Sequence, residues 1–203
     1  SALDNPETFW SNIAKELSWF RDWDEVLDWK LPFAKWFTGG KINASFNCLD
    51  RYMGSELKNK IAYIWEGENG DKRTLTYLQL FEQVNHFADA LLKLGVKKGD
   101  RIAFYMPMVP EFPIAILAAT RIGVTFTVVF SGFSASALAD RINDSQAKLV
   151  ITSDGGFRRG KILKLKDIVD EALDKTSSVE KVIVLKRADI EINMTENRDV
   201  WWH

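Results

Sequence analysis

From Ile61 onward the chain alternates apolar strand-like runs with helix-like stretches, and that order restricts the fold more than any other feature. Arg101 to Met106, Thr125 to Phe130, Ala147 to Thr152 and Val179 to Leu185 read as buried strands. Helical patterns near Phe112 to Ile122, Ser134 to Asn143 and Leu163 to Ala172 separate them. Repeated βα units predict an α/β fold: a parallel sheet with right-handed crossovers and helices on its faces. In such sheets ligands bind beyond the carboxyl ends of the strands, which directs attention to the residues that follow each run.

Upstream of the repeats, Ile61 to Trp65 and Arg73 to Leu75 flank a polar Glu66 to Lys72 turn and predict a hairpin. Thr76 with Gln79 forms a capping box for a helix running to about Leu94 and ended by Gly95. The first fifty residues are crowded with tryptophan: Trp10, Trp19, Trp23, Trp29 and Trp36. Asn5 and Pro6 suit the N-cap and first turn of a helix, and Phe9, Ile13, Leu17 and Phe20 recur at helical spacing. We divide the chain into a Trp-rich segment, residues 1–55, and an α/β unit, residues 56–203. The segment is expected to wrap the α/β unit as an aromatic layer that buries its own large side chains. The alternative is an interface for another subunit.

Two strand ends carry residues suited to a ligand. After Lys148 to Thr152 come Asp154, Gly155, Gly156, Phe157, Arg158, Arg159, Gly160 and Lys161, with glycines for close approach and three cations for an anion. A helical turn there would place Arg158 and Lys161 on one face. Gly155 to Lys161 has P-loop spacing, but Ile162 stands where a Ser or Thr hydroxyl should bind magnesium. Two bulky arginines also occupy a loop whose amides should wrap phosphates, so the P-loop reading fails. The preceding unit ends in Phe130, Ser131, Gly132, Phe133 and Ser134, again aromatic and glycine residues after an apolar run.

Other features read as structural. Pro107 and Pro110 are expected to shape a rigid turn and a first helical turn, not a ligand pocket. His86 lies within a helix without Cys or carboxylates at metal spacing, and Asp140 with Asp144 reads as a solvated face. Cys48, the only cysteine, rules out an intrachain disulfide, and beside Leu49 it is expected to be a packed small hydrophobe. No catalytic residue and no metal ligand is assigned within the chain. The net charge of −1 offers no general attraction to nucleic acid. No apolar run is long enough to span a bilayer, and the expected location is the cytoplasm.

Six stretches together resemble one family: Trp36 to Arg51, Ala62 to Tyr77, Gly95 to Pro107, Val128 to Leu138, Ile151 to Lys161 and Asp199 to His203. They are similar to the AMP-forming acetyl-coenzyme A synthetases of the adenylate-forming acyl-CoA synthetase superfamily. The resemblance implies that Arg158, Arg159, Gly160 and Lys161 hold the phosphorylated nucleotide end of coenzyme A. It also implies that Phe130, Ser131 and Gly132 lie beside its adenine. The family more often has glycine at the position of Ser131 and arginine at that of Lys161. Its Ser/Thr/Gly-rich ATP loop ending in Pro-Lys-Gly, its adenylate-binding aromatic and aspartate motif and its C-terminal lysine have no match between Ser1 and His203. The chain is therefore expected to be the front part of a ligase acting on acetate, ATP and CoA, inactive alone, with the ATP and Mg2+ sites elsewhere. A homo-oligomer is compatible with this reading. A ligase for propionate or another short acid, or a non-catalytic CoA- or nucleotide-binding module, stands as the alternative. A nicotinamide dehydrogenase lacks its G-x-G-x-x-G after a strand.

Overall fold

The computed structural model describes residues 1–203. The N-terminal segment begins with α1 (Pro6–Ala14), whose first turn is closed by the Asn5 side chain accepting from the Thr8 amide at 2.9 Å. The helix stops short of the apolar spacing that pointed through Leu17 to Phe20. The Trp19 indole takes the Ala14 carbonyl at 2.8 Å, and Asn47 bonds both the amide and the carbonyl of Ser18. These side-chain bonds draw the next residues into β1 (Trp19–Arg21), which contains Phe20. β2 (Glu25–Lys30) and β3 (Phe33–Thr38) pair as an antiparallel hairpin, and β4 (Lys41–Ile42) returns to β1.

The short helix α2 (Ala44–Cys48) then brings the segment onto the α/β unit. Asn43 donates to the carbonyls of Thr120 and Arg121, and Asp50 forms a two-pronged ion pair with Arg121. Trp19, Trp23 and Phe37 pack ring on ring at 5.0–5.5 Å. The expected burial is nevertheless incomplete: Trp29 remains 62% and Phe33 74% exposed on the outer hairpin. Cys48 is likewise exposed, not packed, because α2 turns that face to solvent.

The hairpin β5 (Ile61–Glu66) and β6 (Lys72–Thr76) leads into α3 (Tyr77–Lys93) through the capping box of Thr76 and Gln79. The βα repeats follow: β7 (Arg101–Tyr105), α4 (Glu111–Arg121), β8 (Thr125–Val128), α5 (Ala135–Ser145) and β9 (Leu149–Ser153). After β9 the chain does not begin a helix. It forms a small hairpin, β10 (Gly156–Arg158) and β11 (Lys161–Leu163), joined by Arg159 and Gly160. Both turn residues have positive φ, 51° and 70°, the pair of left-handed conformations that a twist-compatible two-residue hairpin turn needs. α6 (Leu165–Leu173), β12 (Lys181–Leu185) and β13 (Asp199–Trp201) complete the chain.

Five strands form one parallel sheet in the order β13-β12-β9-β7-β8. Alternate residues along each strand serve opposite layers. Ile102 and Phe104 of β7, with Ile151 and Ile183, pack under α3 and α4. Ala103, Tyr105, Val150 and Val182 pack under α5 and α6. From β7 the chain leaves toward β8, whereas from β9 it leaves toward β12. Beyond the carboxyl ends of β7 and β9 the connections therefore diverge and leave a crevice.

Candidate functional site

A cleft of about 290 Å³ occupies that crevice. Its floor is Pro107, Met108 and Val109 after β7, one wall is Phe130 and Ser131 after β8, and the opposite wall is Gly156, Phe157 and Arg158 of β10. Pro107 thus lines the cleft, contrary to the expectation that it would serve the turn alone, because β7 lies between β9 and β8 and the turn at its end sits between their walls. The hollow beside Val96 and Ile102 measures about 30 Å³, room for little more than a water.

The two segments singled out in the sequence meet here. The Arg158 guanidinium lies 5.1 Å from the centre of the Phe130 ring. A Cβ on Gly132 would stand 2.3 Å from its Nη1 and 2.6 Å from Phe130, so only glycine leaves this approach open. Lys161 sits opposite Arg158 in the hairpin register, which brings the two cations side by side by strand pairing and not by a helical turn. Arg159 and Gly160 form the exposed tip, where the Gly160 amide donates to Glu68. Arg158, Arg159 and Lys161 make no ion pair within the chain, so their charge is available to an anion.

Buried polar groups hold these walls. The Tyr105 hydroxyl, at the end of β7, donates its one proton to the Phe133 carbonyl (2.7 Å), shared with the Ser131 carbonyl (3.1 Å), and so fixes the Phe130–Phe133 turn. Burial pushes the phenol up to about 12, so the hydroxyl stays a donor even well above neutral pH. Asp154 is fully buried and accepts from the amides of Gly155, Arg187, Ala188 and Ile190. A carboxylate enclosed in this way needs several donors, and four backbone N–H groups supply them. The Asp154 bonds join the end of β9 to the loop after β12. Arg187, in that loop, lies along the cleft between the rings of Trp65 and Phe157.

Sequence reasoning named Asp154 without a role and missed Tyr105, Trp65, Glu68 and Arg187. A tyrosine in an otherwise apolar run was a usable signal for a buried hydroxyl with a partner; nothing local marked Arg187. No group of three or more His, Cys, Asp or Glu side chains converges anywhere in the chain. Among the helices, none is long and apolar enough to cross a membrane.

A parallel α/β sheet with a cation-bearing cleft at its switch point defines a doubly wound α/β class of protein, and the matches give that class a family. Residues 53–202 match the AMP-binding enzyme family, and residues 1–48 match the acetyl-coenzyme A synthetase N-terminus. The chain belongs to the AMP-binding enzyme family. It is 51% identical to the acetyl-coenzyme A synthetase of Chlorobaculum tepidum, over 100% of this chain and 31% of that protein. Identity to the acetyl-coenzyme A synthetase of Rubrobacter xylanophilus is 54%, over 97% of this chain and 31% of the relative. The fold superposes on the acetoacetyl-CoA synthetase from Streptomyces lividans with a TM-score of 0.89 at 26% identity, covering 99% of this chain and 31% of that one. The chain thus spans about a third of the length of the curated relatives it matches.

Proposed function

We propose that the full-length protein containing this chain is an AMP-forming acetate–CoA ligase, and that the cleft between β7 and β9 receives the nucleotide end of CoA. Acetate and ATP would give acetyl-adenylate and pyrophosphate; the CoA thiol would then displace AMP. The observation that carries the reading is Arg158, a cation without an acidic partner, held over Phe130 against the bare backbone of Gly132. A phosphate suits the guanidinium fork, and a flat base suits the aromatic edge beside a glycine surface. Lys161 and Arg159 add charge at the mouth without adding a fixed geometry. We assign the ATP and Mg2+ sites to the two thirds of the relatives that this chain does not span. The proposal extends to a cytoplasmic location, to no role with nucleic acid, to a possible homo-oligomer and to residues 1–55 and 56–203 as the two units. Propionate or another short acid is the alternative substrate.

In the full-length protein, Arg158→Ala should raise KM for CoA while acetate-dependent pyrophosphate exchange persists, because adenylation precedes the use of CoA. Equal loss of both half-reactions would remove Arg158 from the CoA site.

A further inference from the structure

The β10–β11 hairpin carries Arg158, yet its strands are three residues long and pair only with each other. A two-stranded ribbon of that size does not hold its own orientation, so the direction of Arg158 must be set by what grips the hairpin from outside. Successive strand residues face opposite ways. While Arg158 turns to Phe130, Phe157 turns to Arg187, with the Arg187 guanidinium 4.9 Å from its ring centre.

The same guanidinium also lies 5.0 Å from the centre of the Trp65 ring. Its Nη1 pairs with Asp71 at 2.6 Å and its Nη2 donates to Asn69 at 2.8 Å. These partners belong to β5 and the turn that follows it. Gly67 in that turn makes the approach possible, since a Cβ there would stand 2.9 Å from Nη2. The Arg187 amide is anchored on Asp154 at 2.8 Å, and its side chain is only 16% exposed. Two rings lie against the Arg187 guanidinium and both Nη groups are engaged, so although it borders the cleft its strongest hold on the site runs through Phe157.

We propose that Arg187 is a positioning residue: it clamps the β5–β6 turn to the β10–β11 hairpin and thereby sets the direction from which Arg158 meets the nucleotide phosphate. This rests on the CoA reading of the cleft. A planar, delocalised cation is required, because a lysine ammonium cannot stack on two rings and reach two oxygen partners at once.

The test uses the full-length protein with Arg187→Met, Arg187→Lys and Gly67→Ala. Arg187→Met should raise KM for CoA about tenfold, as expected for losing stacked cation contacts, while pyrophosphate exchange persists. Arg187→Lys should recover less than half of that loss, and Gly67→Ala should shift KM in the same direction. Combined with Arg158→Ala, Arg187→Met should add nothing further, because it acts through Arg158. In the ligand-free protein, Arg187→Met should accelerate amide hydrogen exchange in residues 65–72 and 156–163 together. Additive losses in the double variant, full rescue by lysine, or an equal fall in pyrophosphate exchange would overturn the proposal. If Arg158→Ala leaves KM for CoA unchanged, the CoA reading falls, whereas unchanged hydrogen exchange in Arg187→Met removes the clamp itself.

Discussion

Basic residues in the β10–β11 hairpin and at the start of α6 meet opposite fates. Lys166 is fully enclosed at the start of α6, with Nζ 2.7 Å from Asp170, 2.8 Å from Asp199 and 2.9 Å from the Asn193 carbonyl. Arg198 bonds the same two aspartates. Arg158, Arg159 and Lys161, only a few residues upstream, pair with no acid in the chain. The difference follows from burial. A charge removed from water must be neutralised at close range or costs several kcal/mol, so the Lys166 network is committed to tying α6 to β13. A half-exposed or exposed cation faces no such demand and stays available to a ligand. Pairing, not residue type, separates a cation that builds the fold from one that awaits a phosphate.

The strongest way to break this comparison is Lys166→Met, which removes one of the two cations from the buried Asp199 and should destabilise the protein by up to about 3 kcal/mol, the low end for breaking a buried pair because Arg198 still bonds both aspartates. Denaturant unfolding checks it, and a loss below about 1 kcal/mol, the range of exposed pairs, would erase the distinction. At the open cluster, Arg158→Ala should leave stability nearly untouched and raise KM for CoA about 10- to 100-fold, the range for a hydrogen bond to a charged group. Gly132→Ala should push the Arg158 guanidinium aside and raise KM for CoA about fivefold, in line with an ordinary 1 kcal/mol perturbation. Lys161→Ala should give about a twofold to fourfold rise that shrinks with added salt, as for an exposed charge.

The mildest test is acid titration of the paired network. Burial alone would raise the Asp199 carboxyl, but hydrogen bonds from Arg198 and Lys166 outweigh it and hold it below the usual carboxylate range. A carboxyl depressed in the folded state stabilises the protein fully above its unfolded pKa, about 3.9 for aspartate, and this contribution disappears as pH falls through the lower folded value. The acid slope of stability should therefore flatten in Asp199→Asn. An unchanged slope would show that another carboxylate dominates.

Local signals carried well into the structure. The Thr76–Gln79 capping box, the Asn5–Pro6 helix start and the end of α3 at Gly95 depend on neighbours within four residues, and each lies where those neighbours placed it. The strand and helix order also held, since buried strands and amphipathic helices advertise themselves by period. The errors occurred where distant groups competed with local pattern. Leu17 and Phe20 kept helical spacing, but Trp19 and Asn47 took over the backbone partners. Arg159 adopted positive φ, which a non-glycine residue does not announce, and the expected helical turn became a hairpin.

The candidate site divides along the same line. Its glycines, its aromatic residue and its three cations were legible as chemistry at two strand ends, because ligand-binding groups in βα units cluster after the strands. Their meeting was not, for Gly132 and Arg158 come together only when β8 and β9 flank β7. By itself the sequence determined the order of elements, their caps and the stock of cations, all of which rest on short-range periodicity and residue type. Tertiary structure alone decided how Lys166 reaches Asp199, how Asp154 draws the loop after β12 inward and how Arg187 comes to lie between Trp65 and Phe157. Those outcomes depend on burial and on contacts between residues 30 to more than 100 positions apart, and no local pattern encodes such distances.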